Sequence, residues 1–368
     1  MTFFLKGYTH GYRIVSLART EEICDYLLKN NLETLLVSQS KIILYPNSQV
    51  LSEDTDTIKW ASRFNNFDVL AIWENGLVTR LYDDKSIDNF FFVTGRCNSN
   101  CIMCPSPETA RKNAPIAELS ELLEIARHIP KDTPHLTITG GEPFLMGRSI
   151  FPFLRYLKEK FTNTEFLVLT NGRIFAIEEF AALFYQNAPK DTVVAIPLHG
   201  SNEKIHDGIT RASGSFVQTK QGLHNLLERG ICTEIRIVVS KKNLDDFSAI
   251  ADLIIKHFRE IEYVSIIAME MTGNARKNIN ELWVPYKQAF STISPAITKL
   301  VKSGINVKLY NYPICTVEKP FWTLCEKSIS PNKVHFGKTC ELCTYKTACG
   351  GVFAGTYQLE ETELEAIL

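Results

Sequence analysis

Asn89-Phe90-Phe91-Phe92-Val93-Thr94-Gly95-Arg96-Cys97-Asn98-Ser99-Asn100-Cys101-Ile102-Met103-Cys104 is the stretch from which the rest of the chain can be read. A β-rich run, Phe90–Thr94, ends in a glycine and leads straight into three cysteines spaced C-x3-C-x2-C. The thiols therefore lie on a loop at the carboxyl end of a strand, where open α/β sheets gather their ligands. A closed structural zinc site takes four N or S ligands, and no neighbouring His or Cys supplies a fourth. A cubane iron–sulfur cluster held by Cys97, Cys101 and Cys104, with one iron left open, fits the spacing better.

Beyond this loop, short β-rich runs alternate with longer segments of helical period, the pattern of a parallel sheet built through right-handed crossovers. The strands expected are Phe90–Thr94, His135–Thr139, Glu165–Thr170, Thr192–Pro197, Glu234–Ser240 and Tyr263–Ala268. Helices are expected near Ala117–Ile129, Ile150–Lys160, Ile177–Phe184, Phe216–Arg229 and Leu244–His257. The fold class is α/β, with six β/α units forming an open partial barrel over residues 89–304. Residues 1–88 read as a small α+β domain. Its runs Phe3–Leu5, Leu35–Val37 and Ile42–Tyr45 accompany a helix near Glu21–Lys29 and a hairpin whose Asn75-Gly76 marks the turn. A helix near Tyr286–Ser303 and an extended piece, Asn306–Tyr310, lead into a Cys-rich tail over 305–368, with a short acidic end after Gln358.

The second expected strand ends in Thr139-Gly140-Gly141-Glu142-Pro143, and glycines there let backbone approach a ligand closely. The cysteine loop and this turn together resemble the radical S-adenosylmethionine (SAM) superfamily. The resemblance implies that the open iron chelates the amino and carboxylate groups of SAM. It also implies that Gly140, Gly141, Glu142 and Pro143 form the turn that bonds the methionine amino group. Thr170, Asn171 and Arg236 stand where such proteins touch ribose or carboxylate, although Asn171-Gly172 also reads as a plain turn and Arg236 as an ion-pair member. His199-Gly200-Ser201 follows the fourth strand. His206 and Asp207 are read as shaping the loop before the fourth helix rather than as catalytic. Met103 departs from the family's frequent aromatic residue before the third cysteine, and its thioether can fill the place near adenine. No catalytic hydrogen donor can be named.

Ten cysteines are present, and five more of them fall at Cys315, Cys325, Cys340, Cys343 and Cys349. Cys340, Cys343 and Cys349 give C-x2-C-x5-C, a spacing similar to the auxiliary-cluster segment of radical SAM peptide maturases. The tail also resembles the maturases of the His-Xaa-Ser peptide system in Tyr310-Asn311-Tyr312-Pro313-Ile314-Cys315, Lys327-Ser328-Ile329-Ser330 and Cys340 to Gly351. That resemblance implies one auxiliary 4Fe–4S cluster on Cys315, Cys340, Cys343 and Cys349, leaving Cys325 spare. Structural zinc stays an alternative there. It further implies a precursor peptide as substrate, a sister radical SAM maturase, and a flavodoxin or ferredoxin as reductant. A small-metabolite substrate and a non-catalytic metal-bound scaffold are the competing readings. The N-terminal domain could dock a leader peptide or simply cap the barrel.

The 40 Lys+Arg nearly balance 41 Asp+Glu, so no broad basic face points to nucleic acid. No apolar run reaches the roughly 18 to 20 residues of a membrane span, which makes the cytoplasm the expected compartment. Cys24 and Cys232, each among apolar neighbours, read as buried inert thiols.

Overall fold

The computed structural model describes all 368 residues. The N-terminal region is a seven-stranded sheet. Its elements are β1 (Thr2–Phe4), β2 (Arg13–Ala18), α1 (Glu21–Lys29), β3 (Thr34–Val37), β4 (Ile42–Tyr45), β5 (Gln49–Ser52), α2 (Thr55–Ala61), β6 (Val69–Ile72) and β7 (Leu77–Tyr82), with strand order β1-β7-β6-β2-β3-β4-β5. The β6–β7 hairpin forms where Asn75-Gly76 marks it, and Gly76 takes φ 82°, which a side chain would resist. Leu17, Leu35, Leu70 and Val78 are among the residues of this region's own core.

From Phe90 onward the chain builds a second sheet in which every paired strand is parallel. In chain order its elements are β8 (Phe90–Phe92), α3 (Glu108–Asn113), α4 (Leu119–His128), β9 (His135–Thr139), α5 (Ile150–Lys160), β10 (Glu165–Leu169), α6 (Glu178–Asn187) and β11 (Thr192–Pro197). There follow α7 (Glu203–Thr210), α8 (Ser215–Leu227), β12 (Thr233–Val238), α9 (Phe247–His257), β13 (Tyr263–Ile267), α10 (Gly273–Lys277), α11 (Ile279–Leu282), α12 (Tyr286–Lys302), β14 (Val307–Tyr310) and β15 (Cys325–Glu326). The strands lie side by side from β8 to β15 in sequence order, with β8 and β15 as free edges. The six expected β/α units are all present. The sheet also goes further than expected: Asn306–Tyr310 does not merely lead into the tail but supplies β14, a seventh parallel strand paired with β13, and α12 is the crossover helix that permits it.

Alternation along the strands separates two faces. Ile138, Val168, Ile196, Ile237, Ile266 and Leu309 pack beneath the helices in the main core. The intervening side chains, including Leu167, Ala195, Arg236, Ser265 and Tyr310, line the opposite face. The chain's end is not a free acidic tail. Leu364 joins the main core, and Glu360 is fully buried with Oε1 accepting from the Tyr286 N–H at 2.8 Å. Cys24 is buried as expected, but Cys232 is exposed. Ile231 and Thr233 turn inward at the start of β12, so alternation turns Cys232 out. No helix is long and apolar enough to cross a membrane.

Candidate active site

Cys97, Cys101 and Cys104 lie on the loop after β8, each partly buried and free of disulfide bonds. The loop has little secondary structure of its own, so its backbone groups are satisfied from elsewhere. The Cys97 N–H donates to the Arg111 carbonyl at 3.1 Å, and the Asn100 and Ile102 N–H groups donate to Thr210 and Ile209 carbonyls at the end of α7. Asn274 Nδ2 donates to the Cys101 carbonyl at 3.1 Å and Asn278 Nδ2 to the Ile102 carbonyl at 2.8 Å. Gly273 (φ 52°) lies so close to the Pro105 backbone that no side chain fits. Gly273 and the two asparagines come from the segment after β13, and no motif marks them.

The glycine turn fits closely against protein backbone. A Cβ at Gly140 or Gly141 would strike not an open ligand space but the backbone of Thr94, Gly95 and Arg96. The Gly141 N–H donates to the Thr94 carbonyl at 2.7 Å, and the Glu142 N–H to the Arg96 carbonyl at 2.8 Å. Bare backbone at these positions thus fastens the turn to the root of the cysteine loop. Glu142 is buried and holds the next strand end as well. Its Oε1 accepts from the Thr170 hydroxyl at 2.8 Å and the Phe144 N–H at 3.1 Å, and its Oε2 from the Asn171 N–H at 2.7 Å. Burial raises its carboxyl, opposed by these bonds. Pro143 opens the short 3₁₀ turn that follows. Asn171 Nδ2 reaches Asn98 Oδ1 at 2.6 Å, and Arg173 Nη1 donates to the Asn98 carbonyl at 2.8 Å. Gly140–Pro143, Thr170 and Asn171 are therefore brought together around the cysteines.

Arg236 has its Nε paired to Oε1 of the buried Glu234 at 2.7 Å. Met103, expected near adenine, is buried among Ile209, Met269 and Met271. His206 and Asp207 lie within α7 rather than in a loop. Asp207 accepts from the Gly214 and Phe216 N–H groups and the Ser215 hydroxyl at the start of α8. His206 Nδ1 accepts from the His199 N–H at 3.1 Å, and the Ser201 N–H and hydroxyl both bond Asp246. All of these groups hold the loops in place.

Whether the loop suits an anionic iron–sulfur cluster can be tested on Arg111. Its side chain is buried and donates to Asn100 Oδ1 at 2.6 Å and to the Ser106 carbonyl, yet it has no carboxylate partner and its Nε has no acceptor. An uncompensated buried cation is costly, and this one acts on the Cys101 thiol. Three thiolates with an iron–sulfur core supply the missing negative charge, so the residues fit the group. Burial pushes the Cys101 thiol up to about 12 and raises that of Cys97, so binding iron must displace their protons.

In the tail, Cys315, Cys340, Cys343 and Cys349 line one small cavity together with His335 and Tyr345. Cys349 Sγ accepts from the Ile314 and Gly351 N–H groups, each at 3.4 Å. Cys325 does not line this cavity. It sits in β15, opposite Leu309, and its thiol points to the Phe321 carbonyl at 3.9 Å. No three His, Cys, Asp or Glu side chains anywhere are drawn in to single-ion spacing.

A cysteine-bearing loop at the head of a parallel β/α sheet, tied to a glycine turn at the next strand, is the arrangement of a radical SAM domain. Residues 91–254 match the radical SAM superfamily. A domain of this superfamily implies a 4Fe–4S cluster and SAM as cofactors. Over 166 residues the chain is 26% identical to the AdoMet-dependent heme synthase of Methanosarcina barkeri, a match covering 44% of this chain and 45% of that one. It is 27% identical over 191 residues to the Fe-coproporphyrin III synthase of the same organism, covering 51% and 45% respectively. The chain thus matches less than half the length of these curated relatives. Among solved structures, Streptococcus suis SuiB bound to S-adenosylmethionine aligns with a TM-score of 0.49 at 15% identity, covering 69% of this chain and 54% of that one.

Proposed function

We propose that the chain is a radical SAM enzyme that modifies a ribosomally made peptide, in the manner of the His-Xaa-Ser maturases its tail resembles. When bound at the reduced cluster, SAM supplies a 5′-deoxyadenosyl radical that takes a hydrogen atom from the substrate. Cys97, Cys101 and Cys104 hold the cluster, and Arg111 balances its charge. Glu142 fixes the glycine turn against the Asn171 strand end, so the SAM-facing backbone is set by packing before any ligand arrives. Cys315, Cys340, Cys343 and Cys349 hold one auxiliary 4Fe–4S cluster, and the tail covers the end of the sheet, which keeps water from the reacting groups. The observation that carries this reading is the cavity shared by those four thiols, which the resemblance names and which leaves Cys325 out. A precursor peptide, a sister maturase and a low-potential reductant protein are the partners it calls for.

The test is anaerobic reconstitution with iron counting and a SAM-cleavage assay, on the native chain and on a Cys97→Ala, Cys101→Ala, Cys104→Ala variant. About eight irons per chain, and 5′-deoxyadenosine from the native chain alone, are expected. Zinc in the tail, or no 5′-deoxyadenosine from reduced native protein, sinks the proposal. A small-metabolite substrate is the second reading, favoured by the similarity to an AdoMet-dependent heme synthase and to a GTP 3′,8-cyclase of Petrotoga mobilis. Crosslinking a gene-neighbour peptide to the chain separates the two.

A further inference from the structure

The face of the parallel sheet that the helices leave uncovered is divided by chemistry. On one side stands the free edge β8, where Phe91 packs into the main core and alternation turns Phe90 and Phe92 to the other face. These two rings are 53% and 55% exposed, and Leu167 and Leu169 on β10 continue the apolar surface half-buried. On the other side, β12 to β14 bring Glu234, Arg236, Tyr263, Ser265 and Lys308 together. This polar side does not balance itself. Glu234 Oε1 accepts from Arg236 Nε at 2.7 Å and its Oε2 from the Tyr263 hydroxyl at 3.3 Å, so both oxygens of the buried carboxylate are engaged. The Lys308 ammonium lies over the Tyr263 ring, 4.1 Å from its centre, and makes no ion pair. The other carboxylates of this face, Glu165 and Glu326, are exposed, and Glu165 pairs with His135 at 3.0 Å. Ser265 is in register with both Arg236 and Lys308 and near the Tyr310 hydroxyl, yet its buried Oγ has no hydrogen-bond partner. A cation without a counter-charge and a hydroxyl without a partner on adjacent strands are complementary to a carboxylate, and the exposed rings to an apolar group.

We propose that this face recognises a peptide segment that carries an apolar side chain and, five or six residues along, an acidic one, and that Lys308 is the residue that selects the acid. The inference rests on the peptide reading and deepens it by stating what the peptide must carry. The spacing follows from the sheet. β10 and β14 are four strands apart, about 19 Å at the usual strand separation, and an extended peptide covers that distance in about six residues. An apolar surface with a few placed polar groups is the usual make-up of a recognition site, the polar groups fixing orientation and choice of ligand.

The experiment titrates two synthetic peptides, N-acetyl-Phe-Ser-Gly-Ser-Gly-Glu-amide and its counterpart ending in Gln, into the cluster-loaded chain with SAM, and reads binding by saturation-transfer NMR. At low salt the Glu peptide binds the native chain about fivefold tighter or more. Lys308→Met removes that preference and Lys308→Arg keeps it, which separates charge from folding. Phe92→Ser/Leu167→Ser weakens both peptides about fivefold or more and leaves the preference in place, as expected for lost apolar contact. Equal binding of the two peptides, a preference that persists in Lys308→Met, or no binding of either overturns the proposal. So does a native chain that sediments as a dimer and becomes a monomer in Phe92→Ser/Leu167→Ser, because a second copy would then be what covers the rings. A gene-neighbour peptide that fails to crosslink, while the two probes keep their Lys308-dependent preference, counts against that peptide as substrate alone, since the face still selects the acid.

Discussion

Replacing Gly141 by Ala puts the heaviest demand on the proposed geometry. The new Cβ would fall 2.6 Å from the Gly95 carbonyl oxygen and closer still to that of Arg96, and backbone cannot swing aside as a flexible side chain does. The turn must move off the root of the cysteine loop. That movement breaks the bonds from Gly141 N–H to Thr94 and from Glu142 N–H to Arg96. Two net hydrogen bonds at about 1 kcal/mol each, with about 1 to 3 kcal/mol for overpacking, amount to roughly 3 to 5 kcal/mol. Urea unfolding of the metal-free protein, followed by circular dichroism, reads the loss directly, and iron bound after reconstitution reads its effect on the loop. Gly208→Ala is the control: it lies in α7 with nothing within 4 Å of its Cβ position, and it should be neutral or gain about 0.5 to 1 kcal/mol. A Gly141→Ala protein with the native urea midpoint and native iron content would refute the fastening role.

Three further outcomes follow from the structure. Cys315→Ala with Cys349→Ala should lose about four irons per chain while Cys325→Ala loses none, and equal losses would mean that the ligand set is wrong. Under chelator challenge Arg111→Lys should keep the first cluster longer than Arg111→Met, and equal rates of iron loss would remove the charge-balancing role. Burial pushes the Glu360 carboxyl up from 4.5 to about 7, so the folded state prefers it protonated. Its contribution to stability is therefore full in acid, falls as pH rises from 4.5 to 7 and is flat above. Glu360→Gln should escape this, becoming more stable relative to native by about 3 kcal/mol between pH 4.5 and pH 8. Urea midpoints of the two proteins that differ equally at both pH values would contradict it.

Much of the fold was legible because its signals are local. His135–Thr139, Thr192–Pro197 and Ile150–Lys160 form as read, since β-rich runs and helical periodicity there agree with the packing. The cysteine loop and the glycine turn could be recognised for the same reason: each is a short word of unusual residues. The reason for the glycines could not, because the backbone they accommodate lies some 45 residues earlier and only the fold brings it near. Asn274, Asn278 and Arg111 escaped notice because asparagine and arginine are commonplace and their partners are remote or depend on burial. β14 was taken for a connection because four residues are too short to show alternation convincingly. Glu360 falls in the stretch that reads as a short acidic end, whereas contacts with α12 decide its burial.

The two asparagines that hold the cysteine loop also impose an order of events during synthesis. Cys97 to Cys104 leave the ribosome early, but Asn274 and Asn278 follow about 170 residues later. At roughly 5 to 20 residues per second, a young chain spends about ten to thirty seconds with three thiols and no finished cradle. Iron delivered in that interval would meet a loop whose carbonyls are still bonded to water. The loop's full set of backbone partners therefore exists only once translation has passed α10, late in the life of the nascent chain.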